Sequence, residues 1–216
     1  MNAFPASLLE GYRKFRNGRL ENERERYRKL AEQGQSPATL VVACCDSRAA
    51  PETIFDALPG ELFVVRNVAN LVPPHEPDGG YHGTSAALEF AIQGLRVKHI
   101  VVLGHARCGG IAAALDPAAE PLSPGDFIGK WMELLAPVAA SIGSDDSMSP
   151  AERQTALERL SIRNTIENLR TFPCVSILED KGSLSLHGAW FDIRDGALWV
   201  LDPESGEFSP PMLGSM

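Results

Sequence analysis

Cysteine is scarce in this chain. Four stand in 216 residues, at positions 44, 45, 108 and 174, too few and too uneven for the disulfide framework of a small secreted protein. The expectation is a reducing, cytoplasmic location. Basic excess is also missing: 20 Lys and Arg face 28 Asp and Glu, a formal charge of -8, so nothing offers the basic stripe that a nucleic-acid partner requires. No stretch approaches the roughly 18 apolar residues of a membrane span, and residues 1–12 lack the apolar core of a signal peptide. Neither an internal repeat nor a linker interrupts the sequence, so residues 1–216 read as one domain.

Strand and helix signals alternate along the chain. Residues 6–32 form a charged amphipathic stretch read as one helix, an arm whose apolar Leu8, Leu9, Tyr12, Phe15, Leu20, Tyr27 and Leu30 need a surface, the chain's own core or a second subunit. Strands are expected at 38–44, 62–65, 98–104 and 174–178, with a final hairpin of 185–193 and 197–202 around Arg194-Asp195-Gly196. Helices are expected after Pro51, over 84–95 and 110–115, around Trp131, and from the capping box at Ser149 to about residue 170. Residues 67–83 read as a loop. Together these give an α/β fold: a mostly parallel central sheet flanked by helices, with an antiparallel edge.

Two short segments carry the chemistry. Cys44-Cys45-Asp46-Ser47-Arg48 follows Leu40-Val41-Val42-Ala43, and His105-Ala106-Arg107-Cys108 follows Ile100-Val101-Val102-Leu103-Gly104. Ligands of open α/β sheets sit beyond the carboxyl ends of the strands, which is where Cys44 and His105 belong. Two thiolates, from Cys44 and Cys108, and the imidazole of His105 suit one zinc ion and leave its fourth position open. Alternation along an extended chain puts Asp46 on the side of Cys44, able to accept a hydrogen bond at the metal or to become its fourth ligand. Arg48 then holds Asp46 off the metal through a bidentate pair and keeps it ionised.

Each piece alone has a plainer reading: a buried inert cysteine, a loop ion pair, a chance His-x-x-Cys. Two such pieces at two strand ends favour a catalytic metal site. Cys45 and Cys174 are expected in the core, and His99 and His187 as structural residues. His75 and His82, in the polar loop, are candidates for passing protons to solvent.

Cys-x-Asp-x-Arg followed by His-x-x-Cys, with Phe63-Val64-Val65-Arg66-Asn67-Val68-Ala69-Asn70 between them and Leu186-His187-Gly188 after, resembles the β-class carbonic anhydrases. The resemblance implies one Zn2+ per chain on Cys44, His105 and Cys108, with Asp46 and Arg48 as the catalytic dyad. In that family zinc hydroxide attacks CO2 and bicarbonate is released. It implies Gln35, nine residues before Cys44, as a hydrogen-bond donor to substrate, Phe63 and Phe90 as apolar walls, and a backbone N–H of Gly109 facing substrate. Phe90 stands where plant-type members have a tyrosine, so that hydroxyl is missing. A homodimer is implied, with residues 6–32 laid over the partner and tetramers or larger assemblies built from it. The regulatory bicarbonate pocket of some bacterial members maps to Val41, Arg66 and Phe191; two of its three side chains are absent, so no such switch is expected. A carbonyl sulfide or carbon disulfide hydrolase on the same zinc scaffold is the alternative reading.

Overall fold

A computed structural model describes residues 4–116, 118–143 and 147–212. Two units separate by their contacts, residues 1–36 and residues 37–216. In the first, α1 (Ala6–Asn17) and α2 (Arg19–Gln33) replace the single helix expected over 6–32. Gly18 divides them at φ -134° and ψ -88°, and the low helix propensity of glycine is the physical reason. Neither helix buries a residue, and i,i+4 pairs such as Lys14–Glu10 and Arg19–Glu23 lace their surfaces.

The second unit is built on a sheet that runs β1 (Thr39–Cys44), β2 (Leu62–Asn67), β3 (His99–His105), β4 (Ser185–Asp192), β5 (Ala197–Leu201) and β6 (Phe208–Ser209) in sequence. In space the order is β2-β1-β3-β4-β5-β6. The first four pair in parallel and the last two add antiparallel, as the sequence pattern predicts, with β6 as an addition. Leu40, Val41, Val42 and Ala43 are all at most 1% exposed, the near-continuous burial of a central parallel strand. Each such aliphatic side chain contributes about 1.5–3 kcal/mol by leaving water.

The helices of this unit are α3 (Pro51–Ile54), α4 (Gly83–Glu89), α5 (Gly109–Leu115), α6 (Phe127–Met132), α7 (Ala136–Gly143), α8 (Pro150–Arg170) and α9 (Pro173–Asp180). Phe90–Leu95 continues α4 as a π turn and stops at Arg96, φ 58°. The strand expected at 174–178 is a helix instead. Pro173 occupies its first turn after Phe172 in an extended conformation, and a short apolar run such as Cys-Val-Ser-Ile-Leu does not by itself distinguish the two states. Cys174 is accordingly half-buried against the main core rather than enclosed in a sheet. Cys45 is exposed, not core, because β1 ends at Cys44 and the chain turns away. Among the described residues no helix is long and apolar enough to cross a membrane.

Helix α8 lies against β3 and β4, and its Ile162 is fully buried between them. A Cβ on Gly104 would sit 2.8 Å from Ile162 Cδ1, and one on Gly188 2.8 Å from Ile162 Cγ2. Both glycines are therefore required by close approach. Gly104→Ala is expected to cost about 1–3 kcal/mol from overpacking, measured by urea denaturation; an unchanged midpoint would show that α8 can shift without loss.

A Cys-His-Cys cradle at the ends of two parallel strands

Cys44 is the last residue of β1 and His105 the last of β3, and the two strands are hydrogen-bonded neighbours. Cys108 follows one turn later, where Arg107 at φ 55° reverses the chain before α5 begins at Gly109. Cys44, His105 and Cys108 are 5%, 1% and 2% exposed, and their donor atoms lie within 4.8 Å of one another. The two sulfurs are 3.9 Å apart, and all four cysteines of the chain are free thiols.

The imidazole shows what the cradle is for. His105 Nδ1 is 2.8 Å from the carbonyl oxygen of Ala106, an acceptor, so Nδ1 carries the hydrogen and donates. Nε2 is left facing the two sulfurs, buried and without a hydrogen-bond partner. A buried polar atom of that kind is costly unless something bonds it, and a metal ion does so while the backbone bond fixes tautomer and ring. The thiols agree. Cys44 is pulled down to about 4, chiefly by its hydrogen bond with Cys108, and Cys108 is pushed up by the same contact. The contact makes Cys44 the more acidic of the two thiols, and the Ala69 N–H donates to its Sγ at 3.3 Å. The donor set fits a tetrahedral zinc site with one position open.

Asp46 and Arg48 stand at the rim. Arg48 donates from Nε to Asp46 Oδ1 at 2.9 Å, from Nη2 to Oδ2 at 2.6 Å, and from its backbone N–H to Oδ1 at 2.9 Å. Asp46 Oδ2 lies 3.9 Å from His105 Nε2. A turn through Ser47 and Arg48, rather than the extended chain expected from alternation, brings carboxylate and guanidinium together. The hydrogen bond from Arg48 holds the Asp46 carboxyl well below the usual range.

Several supports were not read from the sequence. Arg66 of β2 donates to the carbonyls of Cys44 at 2.9 Å and Asp46 at 2.7 Å, fixing the turn that carries both. Glu158 of α8, 2% exposed, accepts from Cys108 N–H at 3.0 Å, Gln154 Nε2 at 3.0 Å and Trp190 Nε1 at 3.2 Å. Burial pushes its pKa up against those bonds. Trp131 Nε1 donates to the Val68 carbonyl at 2.8 Å, holding the 3₁₀ turn Val68–Asn70 beneath Cys44.

The other expected site residues lie farther out. Phe63 and Phe90 face each other with ring centroids 5.8 Å apart, and Phe90 is 52% exposed. Phe63 pairs with Leu40, four residues before Cys44, so its backbone lies about 13 Å along the sheet. Gly109 opens α5 next to Cys108, and its N–H is among those with no intrahelical acceptor. Gln35 is exposed and belongs to residues 1–36; the cradle is formed wholly by residues 37–216. His75 and His82 line a separate surface cavity of about 560 Å³.

Comparison with known proteins places this geometry in a family. The family model described as Carbonic anhydrase matches residues 39–198. A carbonic anhydrase of Pseudomonas aeruginosa is 35% identical over 93% of this chain and 89% of its own length. The chloroplastic β carbonic anhydrase 5 of Arabidopsis thaliana is 39% identical over 82% of this chain, which spans 59% of that protein. Among solved structures, the β-carbonic anhydrase CcaA superposes with a TM-score of 0.88 at 28% identity, over 96% of this chain and 92% of that one. A tetrameric β-carbonic anhydrase of Sordaria macrospora gives 0.77 at 29%, over 94% and 97%. The chain belongs to the carbonic anhydrases, in their β class.

Two outcomes test the supports. Because Arg48 lowers the Asp46 pKa, the pair stabilises the fold above the ordinary carboxylate value, about pH 4, and that contribution is lost as pH falls through the lowered folded-state value. Arg48→Ala should therefore lose stability relative to the parent at pH 6, with the gap closing on further acidification in denaturation curves. Glu158→Ala strands the Cys108 and Trp190 N–H groups, each worth about 1–3 kcal/mol when buried unpaired. It should lower the thermal midpoint and speed metal loss to a chelator; unchanged metal retention would limit Glu158 to packing.

Proposed function

We propose that this protein catalyses reversible hydration of CO2 to bicarbonate and a proton, with one Zn2+ per chain held by Cys44, His105 and Cys108. The observation that carries the reading is the buried, unpartnered Nε2 of His105 beside two thiols, below an Asp46–Arg48 pair. Zinc bound there supplies a Lewis acid that brings the pKa of water towards neutrality. The two thiolates would balance its charge, so the metal with its three protein ligands would carry no net charge. Asp46 stays ionised because Arg48 donates to both its oxygens, so at the rim it only accepts a hydrogen and thereby orients the donor's remaining lone pair towards substrate. Arg48 also donates to the Arg107 carbonyl at 3.2 Å, tying the dyad to the loop between His105 and Cys108.

The Gly109 N–H beside Cys108 is a donor for the product anion, while Phe63 and Phe90 form an apolar face about 13 Å along the sheet and would wall a CO2 site only if a second copy brought them to its cradle. The carbonyl sulfide or carbon disulfide alternative gains nothing from the relatives reported above, which are named as carbonic anhydrases. Four free thiols suit a reducing cytoplasm. A homodimer using the arm at residues 6–32 is supported by Leu8, Leu9 and Tyr12, at 59%, 42% and 56% exposed.

Stopped-flow CO2 hydration on zinc-loaded protein, from about pH 7 to 9, should show fast turnover that rises with pH. Full zinc occupancy with no turnover would overturn the reading. Asp46→Asn should keep zinc and lose about 10²-fold or more in kcat, the scale of a positioned acid–base group; near-parent activity would remove Asp46 from the mechanism. Cys108→Ser should lose the metal, and full occupancy in that variant would refute the ligand set.

A further inference from the structure

At the opposite end of the sheet from the cradle, two histidines meet. His99 is the first residue of β3 and His187 the third of β4. The parallel register pairs His99 with Ser185 and Val101 with His187, which makes the two imidazoles diagonal neighbours on one face. His99 Nδ1 and His187 Nε2 are 3.2 Å apart, with ring centroids at 5.3 Å and planes at 49°. Both residues are exposed, so neither ring needs this contact to satisfy a buried polar atom. The sequence alone suggested only structural roles for them.

We propose that His99 and His187 form a second metal site, one that takes a borderline divalent transition-metal ion through the two imidazoles and completes its shell with water. Six residues of β3 separate it from His105, about 20 Å at the rise of a parallel strand. It therefore cannot share a metal with the cradle, and the inference does not rest on the proposed reaction.

Three features support it. A metal about 2.0–2.1 Å from each of two nitrogens spaced 3.2 Å apart subtends an angle of roughly 100°, between the square-planar and tetrahedral values. The paired strands fix the two backbone positions from which the rings meet before any ion arrives. The His187 ring is biased towards its neutral, lone-pair form, because partial burial and the neighbouring His99 lower its pKa. In the metal-free pair one ring nitrogen donates to the other. Binding moves that hydrogen to the far nitrogen of its own ring and turns both lone pairs to one point, with no net change in protons when both rings are neutral. No third His, Cys, Asp or Glu of the described residues joins the pair. The site is thus exchangeable, and Cu2+ and Ni2+ should bind more tightly than Co2+.

The test is Ni2+ titration of tag-free, zinc-loaded protein, read by calorimetry and by paramagnetic broadening of histidine ring signals. One Ni2+ per chain should bind, broadening His99 and His187, while elemental analysis still finds the zinc of the cradle. His99→Ala and His187→Ala, surface changes checked for folding by circular dichroism, should each weaken Ni2+ by about tenfold or more, as loss of one of two imidazole ligands requires. Both variants should retain the parent's CO2 hydration rate. Absence of saturable uptake below about 1 mM, or uptake unchanged in either variant, would overturn the proposal.

Discussion

An imidazole nitrogen buried to 1% exposure with no hydrogen-bond partner is the constraint on which the rest of this structure turns. Such an atom costs free energy in any fold that does not give it a partner. Every support around it keeps the cost in place instead of relieving it. The Ala106 carbonyl takes the hydrogen of Nδ1 and so fixes which nitrogen is left bare. Parallel pairing of β1 with β3 brings Cys44 beside His105, and the positive-φ turn at Arg107 returns Cys108 to the same point. Filling the position with a cation therefore couples metal binding to folding stability.

The support extends across the sheet through α8. One face of that helix seats Ile162 over Gly104 and Gly188, where no side chain fits. One turn earlier on the same stripe Glu158 reaches Cys108 N–H and Trp190 Nε1. The close approach set by two glycines is thus what brings a buried carboxylate to the ligand loop. Packing and polar bonding specify one helix position between them, which makes the geometry of Cys108 a property of the core as much as of its own loop.

Legibility in the sequence followed the range of the interaction. Cys44, Asp46, Arg48, His105 and Cys108 could be read because two apolar strands end on them and parallel sheets gather such ends. Glu158 could not be read by composition, since a glutamate in a charged helix passes for a solvated one. A signal was present all the same: it shares the i, i+4, i+8 stripe of Ile162 and Ile166, and an acid on an apolar stripe is a buried acid in need of donors. The segment 174–178 misled for the opposite reason. Its β-branched residues suggested a strand, while Pro173 at a helix first turn and the missing alternation carried the better information. Gly18 was a similar local break within an otherwise convincing amphipathic run.

Two arginines divide the work at the rim, and the division bears on whether Asp46 faces the metal or binds it. Arg66 holds the backbone of Cys44 and Asp46 through their carbonyls, so the turn is fixed whichever way the carboxylate points. Arg48 holds the carboxylate itself, by both oxygens and with a third bond from its own N–H. A carboxylate anchored this way has to break charge-assisted bonds before it can act as a ligand. Lysine, a single point donor, could not occupy both oxygens in the same plane. The geometry therefore holds Asp46 at the rim as an acceptor, its two oxygens committed to Arg48.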